Sequence, residues 1–165
     1  MDGLLTPSSQ VRGHPHLSRA ADTANWSRGF RLSQEQMTVW VDDWQMHCCR
    51  KPFAVGSRVT CTRKRVDTAW LASLLGLDIA NSVAAAEQHH GRLPDDAPVT
   101  VATVTAISAV HCQFAPKEGG DPREYYYPVA DTAVLSPIPS ADGWTPDRGD
   151  LKFTGYLVQL QTDGA

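Results

Sequence analysis

"VTVATVTAISAVHCQF", residues 99–114, is the stretch whose reading decides the fold. It is rich in valine and threonine, whose branched side chains suit a pleated, half-buried surface. It contains neither glycine nor proline and is too long for one flat strand, so a sharp bend or a bulge is expected inside it. Shorter strand signals lie on both sides. Upstream, "TVWVDDW" (38–44) alternates Val39 and Val41 against Trp40 and reads as a strand, ended by the turn that leads into Arg50-Lys51-Pro52. Gly56 precedes "SRVTCTRKRV" (57–66), a second strand with Val59 and Cys61 on one face and the basic residues mostly on the other; it is a candidate hairpin partner of the first.

Between the second strand and the long one, the period changes. Asp67 stands as an N-cap before "TAWLASLLG" (68–76), where Leu71, Leu74 and Leu75 share a helical face and Gly76 suits the position just past the end. A second helix is expected from Asp78, with Ile79, Val83 and Ala86 as its stripe and Gly91 as its stop; "LPDDAP" (93–98) follows as a loop. Downstream of the long strand, "APKEGGDPRE" (115–124) is a loop. "YYYPV" (125–129) is a short strand that Pro128 confines to an edge or an end. "TAVLSPIPSADGW" (132–144) is a brief extended piece with a turn at Asp142–Gly143. "LKFTGYLVQLQ" (151–161) closes the chain as a strand, in which Gly155 marks a bulge or a close backbone approach. The expected fold is α+β: a small curved β-sheet or SH3-like barrel of five to six mostly antiparallel strands, with two short helices inserted after the second strand.

The chain has 165 residues, room for one ordinary core. Its net charge of −3 does not advertise nucleic acid or an anionic membrane as a partner. No apolar run approaches the roughly 20 residues that span a bilayer, and the first residues hold no continuous apolar segment of a secretory signal. A cytoplasmic location with reduced thiols is the expectation. Plentiful Arg, Ala, Val, Thr and Asp with scarce Lys, Asn and Ile point to a GC-rich bacterial genome. Residues 1–36 carry Pro, Gly, Ser and Arg without sustained periodicity and are expected to be a disordered N-terminal extension, with 37–165 as a single β-rich domain. The natural start is expected at Met37, immediately before the first strand signal. The rival reading is a genuine flexible tail with Trp26 and Phe30 as a docking motif.

The blocks "MTVWVDDWQMHCCRKPFAVGSRV" (37–59), "APVTVATVTAISAVHC" (97–112) and "FTGYLVQL" (153–160) resemble a small actinobacterial family, domain of unknown function 6578. The resemblance spans most of 37–160 and is most specific in the first block. It implies no activity, ligand or catalytic residue, and so argues against a named enzyme class.

Candidate chemistry concentrates in two blocks, His47-Cys48-Cys49 and His111-Cys112. Structural zinc draws thiolates from Cys-x₂₋₄-Cys knuckles, whose spacing lets both sulfurs converge. Neighbouring side chains of an extended chain point to opposite faces, so adjacent cysteines suit a knuckle poorly. The metal candidates are therefore Cys48, Cys49, His111 and Cys112, one residue taken from each adjacent pair, for example Cys48 or Cys49 with Cys112 and a histidine from His89 or His90; one reactive thiol is a second possibility. The plainer reading makes Cys61, Cys112 and one of Cys48 and Cys49 small buried hydrophobes. His89 and His90 also suit the negative end of a helix dipole. Asp42 and Asp43 alternate in direction and do not form an acid–base pair. No nucleophile elbow, phosphate loop or dinucleotide fingerprint is present. Arg50, Lys51, Arg58, Arg63, Lys64 and Arg65, with Trp40 and Trp44 as stacking rings, could form a nucleic-acid face, although residues 37–165 are net acidic. Tyr126, within the Tyr125–Tyr127 run, is a candidate protein-interface ring. The leading expectation is a non-catalytic cytosolic binding or accessory module with a protein partner, no cofactor and no membrane. The alternatives are a zinc- or thiol-dependent protein centred on Cys48, Cys49 and Cys112, and a weak nucleic-acid-binding small barrel.

Overall fold

The computed structural model describes residues 35–48, 50–88, 94, 96–121, 123 and 125–163, all within the compact unit Arg31–Ala165. Along the chain run β1 (Gln36–Asp42), α1 (Asp43–Cys48), β2 (Phe53–Ala54), β3 (Arg58–Lys64), α2 (Thr68–Leu75), α3 (Leu77–Ser82), β4 (Val83–Glu87), β5 (Val99–Cys112), β6 (Phe114–Pro116), β7 (Tyr126–Pro128), β8 (Val134–Pro137), β9 (Ser140–Ala141) and β10 (Lys152–Thr162). The main sheet has the order β10-β1-β4-β3-β5-β8, and β10 also pairs with β5. Its pairs are antiparallel except β1 with β4. This is the curved, mostly antiparallel sheet expected, with two short helices after the second strand of that sheet. It is not closed into a barrel: β4 meets β3 over only two residue pairs, and β8 stays at an edge.

The long strand is shaped by its bulges. β5 pairs along β10, and the register skips Thr105 on β5 and Thr154 on β10. A one-residue slip moves every later side chain to the other face. Accordingly Ala102 and Val104 face the inner core before the bulge, and Ile107 and Ala109 face it afterwards. On β10 Phe153 precedes its bulge, and Tyr156, Val158 and Leu160 follow it, all in the same core. Thr105 and Thr154 use their hydroxyls to donate to the carbonyls of Gln159 (3.2 Å) and Val110 (2.9 Å). The outer face of this region is buried as well. Val110, Cys112, Leu157 and Trp40 pack there against Leu71, Leu74 and Leu75 of α2, in a second core. Asp67 caps α2 as expected, its Oδ1 accepting from the Trp70 N–H at 3.0 Å.

Three local expectations are corrected. The segment after Asp42 is a short helix, not strand and turn, and Asp43 Oδ1 accepts from the Trp44 N–H at its first turn. The second helix ends at Ser82, and Val83–Glu87 continues as β4 between β1 and β3. Helix propensity in "VAAA" loses to tertiary context, because as a strand it packs Ala85 into the inner core and Ala86 into the outer one. Third, β3 pairs with β4 and β5, and the antiparallel partner of β1 is β10. The domain also begins slightly earlier than Met37: the backbone N–H and hydroxyl of Thr162 both donate to the Glu35 carbonyl. The expectation of a disordered extension otherwise falls on residues 1–34, outside the described residues. No helix among the described residues is long and apolar enough to cross a membrane.

Candidate functional site

The thiol and imidazole residues separate. Cys112 is fully buried in the outer core, with its sulfur 3.3 Å from the Thr132 hydroxyl and against the carbonyls of Gln113 and Val129. His111, its neighbour, faces the opposite way. Its Nε2 donates to the Pro146 carbonyl at 2.9 Å, and its ring lies 5.7 Å from that of Phe153. Because a carbonyl only accepts, Nε2 carries the proton, and Nδ1 faces the core without a hydrogen-bond partner among the described residues. Cys61 is buried in the inner core, and Cys48 is exposed at the end of α1. Among the described residues no three His, Cys, Asp or Glu side chains gather as a metal ion would require. Cys49, His89 and His90 lie outside the described residues. Burial pushes the Cys61 thiol up, against the pull of Arg50 and Arg63. In a Cys49→Ser background, a chromogenic disulfide reagent is therefore expected to modify Cys48 rapidly and Cys61 and Cys112 only on unfolding. Three fast thiols in the native protein would refute that placement.

The basic and aromatic residues of the sequence reading do not form one face either. Trp40 is a core ring, packed edge-on against Trp70 at 5.8 Å, with its Nε1–H donating to Asp42 Oδ1. Strand alternation sends Arg58 and Lys64 to one side of β3 and Arg63 to the other. Arg58 pairs with Asp163 at the surface, Lys64 lines a small slot with Trp40 and Trp70, and Arg65 is exposed beyond the strand. Tyr126 is exposed on β7, on the two-stranded β6–β7 ribbon.

Two constellations escaped the sequence reading. The first is a surface row of rings. Helix α1 sets Trp44 and His47 three residues apart, hence on neighbouring positions of one face. The turn after β9 then brings Trp144 onto His47, with ring centroids 4.7 Å apart. That turn is tied to the core: the Gly143 N–H donates to the hydroxyl of fully buried Tyr156 at 3.1 Å, and Thr145 Oγ1 lies 2.8 Å from the same oxygen. Gly143 sits at φ 84°, and a Cβ there would lie 2.9 Å from Met46 Cβ, so only glycine lets the turn approach α1 this closely. The Trp144 N–H donates to Asp142 Oδ1 at 2.9 Å. Trp144 is 77% exposed and Trp44 47%. An acidic residue adjoins each tryptophan in the chain, Asp142 and Asp43 accepting from the backbone N–H groups of Trp144 and Trp44. Partial burial raises the Asp43 carboxyl above the usual range.

The second constellation is a buried charged cluster at one end of the inner core. Glu87, on β4, is almost wholly buried and forms an ion pair with the Arg50 guanidinium. Arg50 in turn lies 4.6 Å over the Phe53 ring. Arg63 is the cross-strand partner of Glu87, which places a second arginine opposite it on the same face of the sheet. Burial lowers the Arg50 pKa from its ordinary value. Nothing local in "EQHHG" or "CCRKP" announced this pairing, since Glu87 ends β4 and Arg50 lies between α1 and β2, segments that only the tertiary structure brings together.

No curated protein and no solved structure matches the chain. A family model described as a family of unknown function, domain of unknown function 6578, matches residues 35–162. That match runs from the residue before β1 to the last residue of β10. The chain belongs to this family.

Proposed function

We propose that the domain is a non-catalytic, cytoplasmic binding module that docks a protein partner through the Trp44–His47–Trp144 row. The observation that supports this most is Trp144, a large ring 77% exposed on a turn tethered to the core by Tyr156. An aromatic side chain held rigidly before binding loses little entropy when a partner covers it, and tryptophan is enriched among residues that dominate binding energy. The carboxylates of Asp43 and Asp142 flank the rings and favour a partner segment that sets lysine or arginine beside an apolar side chain, through ion pairing and cation–π contact.

Selection of peptides on the full chain from a displayed random library tests this. Enriched peptides are expected to combine Lys or Arg with an apolar residue. Trp144→Ala is expected to weaken them by about 2 kcal/mol, roughly thirtyfold, with an unchanged circular dichroism spectrum. Selected peptides that bind the Trp144→Ala and Trp44→Ala variants as tightly as the parent would overturn the reading.

A further inference from the structure

Beside the buried charged cluster a cavity of about 440 Å³ opens between the start of β3 and the segment before β2, lined by Arg50, Lys51, Phe53, Ser57, Arg58 and Thr60 among others. We infer that this cavity is a binding site for an oxyanion, the phosphate or carboxylate group of a small molecule. The charges around it do not balance. Among the lining residues Arg50, Lys51 and Arg58 are cationic, and the acids that meet them among the described residues are Glu87 on Arg50 and Asp163 on Arg58. The excess is positive, and Arg50 brings its charge there from a buried position, with a side chain only 8% exposed. Buried charge is costly unless it is well compensated, so an arriving anion is favoured beside this guanidinium.

The donors around the cavity suit that charge. Phe53 holds the Arg50 guanidinium in place by stacking, which preserves a planar fork of N–H groups for an oxyanion. Ser57 Oγ accepts from the Ala54 N–H at 3.0 Å, which leaves its hydroxyl hydrogen to donate into the cavity. The Lys51 ammonium and the Thr60 hydroxyl complete a wall made of donors. A cavity of this size with a few convergent polar groups over an aromatic ring is a small-molecule site in form. It is a single pocket and not a basic stripe, in a net-acidic domain, which disfavours a nucleic-acid backbone as its occupant.

Calorimetric titration of the full chain with inorganic phosphate and, separately, with acetate at constant ionic strength is the test. Saturable binding of at least one anion is expected, weakened about tenfold or more in the Lys51→Ala/Arg58→Ala double variant. Both positions are exposed, so the fold should survive, and a circular dichroism melt checks it. Arg65→Ala removes an exposed arginine outside the cavity lining and is expected to leave binding unchanged. Preference for phosphate assigns a phosphate ester, and preference for acetate a carboxylate. No saturable binding of either anion, or equal loss in Arg65→Ala, would overturn the inference.

Discussion

Gly155→Ala is expected to cost about 4 kcal/mol of stability, a large share of the roughly 5–15 kcal/mol that holds a domain of this kind together. Gly155 lies on β10 opposite Asp42 of β1, and a Cβ at this position would stand 2.5 Å from the Val41 carbonyl oxygen and 2.8 Å from Trp40 Cζ2. Neither neighbour can yield cheaply. The first is backbone, and the second is a ring locked in the outer core between the sheet and α2. Overpacking of this kind costs about 1–3 kcal/mol, and a side chain at φ 155° adds roughly 1–3 kcal/mol of conformational strain. Gly56→Ala provides the contrast, because nothing lies within 4 Å of a Cβ at that turn. Only the conformational part, about 1 kcal/mol, should be lost there. Urea denaturation at constant m-value measures both. Equal midpoints for the two variants would remove the close approach as the reason for glycine at 155.

Glu87→Ala is the second severe substitution. It leaves the buried Arg50 guanidinium, with Arg63 nearby across from position 87, without the carboxylate that pairs with it. Breaking a buried pair from one side costs about 3–5 kcal/mol, because the surviving charge remains desolvated and unpaired. Removing both partners should be milder. An Arg50→Met/Glu87→Leu double variant is expected to recover roughly 2 kcal/mol relative to the sum of the single changes, a coupling measured by a double-mutant cycle on unfolding free energies. A Glu87→Ala protein within about 1 kcal/mol of the parent would show that the cluster is solvated and carries no buried charge.

Much of the architecture was legible because it is written in short-range patterns. Val39 and Val41 face the inner core and Trp40 the outer one, as their alternation requires. Val59 and Cys61 share the buried side of β3. Asp67 caps α2, whose Leu71, Leu74 and Leu75 are its buried face. The bulge expected in the long strand falls at Thr105, and the close approach expected at Gly155 is made by Val41 and Trp40. The family resemblance, carried by three blocks, holds over the whole strand set. The candidate site was far less legible. The block around Cys48 holds His47 and Trp44, but the ring that completes their row, Trp144, is almost a hundred positions away. An Asp-Gly turn in a sequence gives no indication of which helix it will touch.

By itself, then, the chain determined where β1, β3, β5, β10 and helix α2 lie and which of their side chains share a face, because these depend on neighbours two to four residues apart. The tertiary structure decided the rest. It made β4 a strand, since an alanine run bordered by β1 and β3 packs both faces and has no room to coil. It exchanged the core-facing parity of β5 and β10 at two separate bulges, one on each strand, whose places only their mutual register defines. It turned Arg50 inward onto Glu87 and brought Trp144 against His47. Such contacts join distant segments, and their partners are chosen by long-range strand pairing, which no local pattern of hydrophobicity encodes.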